Sequence, residues 1–158
     1  MRFQVLVLVV VLLAGCVTPR SGGLNFKYGS VYVRYGGWGG PVPAEQYLTE
    51  YVVNNTVASY RTAYSNGSTS FYREGTVDWE KSRKLGEDVV AAGVYGMLEE
   101  YNPSSSMNPE DKPTAVFFVS IDGRNKSVLM KPYVEEYAPG SIVKIISRMR
   151  GDMQWLRP

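Results

Sequence analysis

The sequence predicts an α+β domain: an antiparallel sheet of about four to six strands with one or two helices packed on it. Three observations carry this prediction. Several segments alternate apolar and polar residues, most clearly Thr114–Ile121. Asn66-Gly67, Asp122-Gly123 and Pro139-Gly140 place tight turns between such segments. Two stretches, near Pro43 and at Trp79, carry helix starts.

The chain opens with Arg2 and an unbroken apolar run, Val5–Leu13. About nine residues suit the apolar region of a secretion signal, whereas a spanning helix needs roughly 20. Leu13-Ala14-Gly15-Cys16 follows and holds the single cysteine of the chain. This string resembles the lipobox of bacterial lipoproteins. The resemblance implies cleavage before Cys16, a diacylglycerol on its sulfur and acylation of the new amine. Val17, where aspartate would imply retention at the inner membrane, implies the periplasmic side of the outer membrane. Residues 1–15 are then a cleaved leader, 16–23 the lipidated N-terminus and tether, and 24–158 a single periplasmic domain.

Composition removes several chemistries. Histidine is absent and the formal net charge is +2. Without histidine there is no Ser-His-Asp arrangement and no imidazole ligand. With Cys16 lipidated, no thiol remains for a disulfide, a thiolate metal site or a nucleophile. The charge is too small for a nucleic-acid surface. No cofactor is implied. Twelve tyrosines suit half-buried sheet faces and recognition surfaces.

Within the domain, Leu24–Tyr35 alternates and predicts a strand, strongest over Ser30–Tyr35. Gly36-Gly37-Trp38-Gly39-Gly40-Pro41 predicts a loop carrying one large ring. Ala44, Tyr47, Leu48, Tyr51 and Val52 share a helical face, with Asn54-Asn55 as its end. Thr56–Tyr64 predicts a strand, Asn66-Gly67 a hairpin turn and Ser68–Glu74 its partner. A single helix over 44–64 is the alternative. Asp78 predicts the N-cap of a helix from Trp79 to about Tyr101, with Glu80 and Lys84 as an i,i+4 pair. Gly86, Gly93 and Gly96 weaken that helix unless close packing on the sheet offsets them. Self-association through Ala92 and Gly96 is the other use for small residues there. Asn102–Lys112 predicts an exposed loop. Thr114–Ile121 predicts a central strand with both faces buried, turning at Asp122-Gly123 into Lys126–Lys131. Pro139-Gly140 predicts a turn before a strand at Ile142–Met149, and Gly151–Pro158 a tail holding Trp155.

A second resemblance lies in residues 114–146. Ile121-Asp122-Gly123-Arg124, Val128-Leu129-Met130 and Ala138–Ile146 are similar to the C-terminal unit of glycine-zipper outer-membrane lipoproteins. That unit runs strand, DGR turn, strand, PG turn, strand.

Few residues point to chemistry. Ser141-Ile142-Val143-Lys144 matches a Ser-x-x-Lys string, but the Ser-Asp-Asn and Lys-Thr-Gly motifs that accompany it are absent. Glu99-Glu100 and Glu135-Glu136 are sequence neighbours, whereas a glycosidase pair faces across a cleft of about 5–10 Å. Arg150-Gly151-Asp152 reads as a turn. Lys144, Arg148, Arg150 and Arg157 interleave with Met149, Met153 and Trp155, a basic-aromatic end suited to anionic headgroups. Trp38, Trp155, Arg148 and Arg150 are the candidate contacts to a partner or membrane. The expected function is a lipid-anchored envelope protein whose domain binds an envelope protein or component without enzymatic activity. A carboxylate-dependent cell-wall hydrolase or transglycosylase is the alternative, and a self-assembling structural lipoprotein a third.

Overall fold

The computed structural model describes residues 28–38, 48–64, 66–102, 114–131 and 138–158. Seven strands form one sheet in the order β4-β3-β2-β1-β6-β7-β5. They are β1 (Val31–Trp38), β2 (Leu48–Asn54), β3 (Val57–Ala63), β4 (Thr69–Thr76), β5 (Glu100–Tyr101), β6 (Thr114–Ile121) and β7 (Arg124–Met130). Every pairing is antiparallel except β5 with β7. Among the described residues two helices, α1 (Trp79–Ala91) and α2 (Gly140–Asp152), accompany the sheet in an α+β fold.

Turn chemistry sets the sheet register. Asn55 adopts φ 53° between β2 and β3, and Asp122 and Gly123 adopt φ 49° and 79° between β6 and β7. Both turns also hold the start of β1. Asn55 Oδ1 accepts the Val31 N–H at 2.9 Å. Asp122 Oδ1 accepts the N–H groups of Gly29 and Ser30, each at 2.8 Å. Asn66-Gly67 joins β3 to β4, with Gly67 at φ 83°. β1 therefore lies between two locked hairpins, pairing with β2 on one side and β6 on the other.

The period-2 pattern divides the sheet into unlike faces. Val31, Val33 and Tyr35, Tyr51 and Val53, Ala58 and Tyr60, Ala115, Phe117, Val119 and Ile121, and Val128 and Met130 are all buried. Helices cover that face. In α1, Ser82, Leu85, Gly86 and Val89 are its buried residues, one helical stripe. Gly86 is required here: a Cβ would lie 2.9 Å from Val31 Cγ2, so β1 and α1 approach through a missing side chain. In α2, Ile142, Ile145, Ile146 and Met149 form the buried stripe. Arg148 bonds Asp88 of α1 and reaches Asp152 at 3.4 Å, which ties the helices together. On the opposite face Tyr32, Val52, Val116, Phe118 and Leu129 stay partly exposed.

Several expectations are corrected. Leu48, Tyr51 and Val52 belong to strand β2, not a helix, and Asn54-Asn55 is a hairpin turn. Residues 48–54 fit both periods, and pairing on both sides satisfies the backbone of a strand. The long helix stops at Ala91: Gly93 takes φ 69°, and Val94–Gly96 is a 3₁₀ turn. Ala92 and Gly96 thus form no helical face for self-association. Lys84 pairs with Asp88 and Arg83 with Glu87, both at 2.5 Å, rather than Glu80 with Lys84. Ile142–Met149 is helical, not a strand, so the third strand of the glycine-zipper unit is a helix here. Gly36, Gly37 and Trp38 continue β1. β6 buries one face fully and the other only in part. The supposed tail contains a 3₁₀ turn, Gln154–Leu156, and its Leu156 is fully buried. The predicted cap at Asp78 is present, its carboxylate accepting the Glu80 N–H at 2.8 Å.

Candidate functional site

Four rings from four strands form a row on the helix-covered face, three of them aligned by sheet register. Tyr35 of β1 lies opposite Tyr51 of β2, and Tyr51 opposite Tyr60 of β3. Phe71 of β4 continues the row diagonally, since register sets Arg73 opposite Tyr60 and Phe71 opposite Thr62. Ring centroids step by 6.2, 4.9 and 5.9 Å from Tyr35 to Phe71. Such spacings suit the offset and tilted contacts that aromatic quadrupoles favour.

Guanidinium groups lie along this row. Arg150 from α2 sits over Tyr35 at 5.4 Å, and its Nη2 donates to the Tyr35 hydroxyl at 3.2 Å. Arg157 sits over Tyr51 at 5.4 Å and Arg73 over Phe71 at 5.5 Å. Arg73 Nη1 also donates to the carbonyls of Trp155 and Arg157, at 3.2 and 3.3 Å. These bonds fix the C-terminal turn onto β4. Trp155 occupies the space a side chain at position 75 would need, since a Cβ on Gly75 would meet its ring at 2.4 Å.

Burial pushes the Tyr60 phenol above the ordinary tyrosine value; Tyr51 adds to the rise and Arg157 opposes it. The sign follows from linkage. A group with a raised folded-state value keeps its proton in the fold after the unfolded chain has lost it. Its contribution is therefore complete below about pH 10 and is lost as pH climbs through the folded value. Urea unfolding from about pH 9 upward should give falling stability, and Tyr60→Phe should flatten that fall.

The residues singled out from sequence are not brought to one place. Trp155 is 48% exposed and donates its indole N–H to Asp152 O at 3.0 Å. Arg150 joins the ring row, whereas Arg148 turns to α1. Trp38 ends β1, where it pairs with Leu48 and Thr114. Cys16, Glu135 and Glu136 lie outside the described residues. Glu99 and Glu100 are exposed beside a shallow depression shared with Lys126 and Phe118, at the β5 margin of the open face. Ser141 stands in the first turn of α2 and Lys144 just beyond it, in a helix rather than the expected strand, and no hydrogen bond joins them. Among the described residues no His/Cys/Asp/Glu group could hold a metal, and no helix is long and apolar enough to cross a membrane.

Tyr35, Tyr51, Tyr60, Phe71 and Arg73 escape sequence reasoning. One signal was available: Tyr51 and Tyr60 are equidistant from the Asn55-Thr56 turn, so a hairpin there must place them opposite each other. No protein-family model and no curated protein matches the chain.

Proposed function

We propose that this chain is a lipid-anchored envelope protein that presents a small binding domain at the periplasmic face of the outer membrane. One observation carries the reading: Leu13-Ala14-Gly15-Cys16 directly follows an apolar run of signal length. Each buried CH₂ contributes about 0.8 kcal/mol, and stable anchoring takes two acyl chains or more. A cysteine bearing a diacylglycerol and an acylated amine supplies them.

The asymmetry of the sheet supports the binding role. Helices and the C-terminal turn occupy one face. The other carries Tyr32 against Phe118 at 5.8 Å, with Val52, Val116 and Leu129 beside them. Apolar rings left partly in water on a rigid sheet are suited to holding an envelope protein or component. The domain acts by holding rather than by transforming what it touches.

Cys16→Ser tests the anchor. In cells fed an alkyne fatty acid, the wild-type chain should carry label and sediment with membranes. The variant should lose both properties. An unlabelled variant that still sediments overturns the reading.

A further inference from the structure

The arginines sort by partner. Arg34, Arg61, Arg83 and Arg148 each lie within 4 Å of a carboxylate. Arg73 and Arg157 have no such carboxylate and lie instead over Phe71 and Tyr51. Arg124 also lacks one, but it sits apart over Tyr95 at 4.2 Å. The two arginines of the ring row are joined: Arg73 donates to the Arg157 carbonyl at 3.3 Å.

The corner they form has donors without acceptors. Arg157 Nε is buried and bonds to nothing. Arg61 Nε is the other such atom among the described residues, and it has Glu50 Oε2 at 3.7 Å. A buried N–H of a charged group left without an acceptor is costly, so native structures seldom keep one. The phenols of Tyr51 and Tyr60, whose rings are 4.9 Å apart, bond to no protein group, and their oxygens are not buried, so both reach water. Both phenols carry their proton near neutral pH, hence are donors. Arg150, at the Tyr35 end of the row, is engaged with the Tyr35 hydroxyl. Arg73 is exposed and Arg157 half-buried.

We infer that Arg157, Tyr51 and Tyr60, flanked by Arg73, form a binding site for a phosphate group. The missing component is an anion that accepts several hydrogen bonds at once. A planar carboxylate is satisfied by the fork of one arginine. Donors arriving from β2, β3 and the C-terminal turn suit a tetrahedral anion with more oxygens, and two guanidinium charges suit its charge. Free phosphate and the phosphodiester of a lipid headgroup share this chemistry. The inference does not depend on lipidation at Cys16.

The test uses the purified full-length chain in nonionic detergent at constant ionic strength. Tyrosine and tryptophan fluorescence is followed against inorganic phosphate and against glycerophosphoglycerol, a water-soluble phospholipid headgroup. At least one should give a saturable change that chloride does not. A preference for the diester identifies a lipid headgroup as the source; a preference for inorganic phosphate identifies the free ion. Arg157→Gln should weaken binding about tenfold or more, as loss of a charge-assisted bond does. Tyr60→Phe keeps the ring and removes one neutral donor, so it should weaken binding about threefold. Arg34→Gln, on the opposite face, should bind as wild type. Circular dichroism reports folding, and Tyr60→Phe decides the matter if Arg157→Gln does not fold. Absence of a saturable response to both anions overturns the inference. So does unchanged affinity in the folded Arg157 and Tyr60 variants.

Discussion

Phe117→Ala is expected to lower the unfolding free energy by about 3–5 kcal/mol, the range for deleting a buried phenylalanine ring. Phe117 is fully buried in β6, one strand from the centre of the sheet, on the helix-covered face. It pairs with Tyr35 on one side and Val128 on the other, both buried. The neighbours belong to a paired sheet with helices above, so the cavity cannot collapse by a local shift. Phe118 provides the internal comparison. It is the next residue and the same side chain, but it points to the open face and stays partly exposed. Phe118→Ala should cost about 1–2 kcal/mol, mainly the edge contact with Tyr32. Urea unfolding of both variants at one pH measures the difference. Equal losses would contradict a sheet buried on one face.

Leu156→Ala is expected to lower Tm by about 6–15 °C, from a loss of about 2–5 kcal/mol. Its position near the C-terminus makes this unusual, because terminal residues commonly tolerate change. Here Met153 and Leu156 are both fully buried, and Arg73 grips the carbonyls on either side of Leu156. Trp155→Ala should cost only about 1 kcal/mol, since half of its surface already meets water. Thermal unfolding by circular dichroism separates the two. A Leu156→Ala melt matching wild type would show that this segment is dispensable.

The hairpins are the most legible part of the fold. Gly67 of Asn66-Gly67, and both residues of Asp122-Gly123, adopt the positive φ angles that such turns need, and the alternation on either side sets their strands. Segments that satisfy two periods are not legible. Ile142, Ile145, Ile146 and Met149 occupy a helical stripe, yet the β-branched run Ile142-Val143 and Ile145-Ile146 also alternates around Lys144. Propensity favours the strand there, and packing against the covered sheet face overrides it. β2 shows the converse error. The candidate site is less legible than either. Its rings are carried on four strands and its arginines on a strand, a helix end and the final turn. They meet only when the sheet is assembled.

That assembly has an order built into it. β1 to β4 form a meander in which each strand pairs with its neighbour in sequence, and β6 and β7 form a hairpin of their own. Only the β1–β6 seam joins these two units within the sheet, and it brings Val31 to Ile121 across more than half of the chain. Non-local pairing is the slow part of folding, because loop-closure entropy must be lost before contacts offset it. The seam therefore sets the pace of folding. Until it closes, the inner margins of both units, β1 and β6, are unpaired strand edges open to another chain.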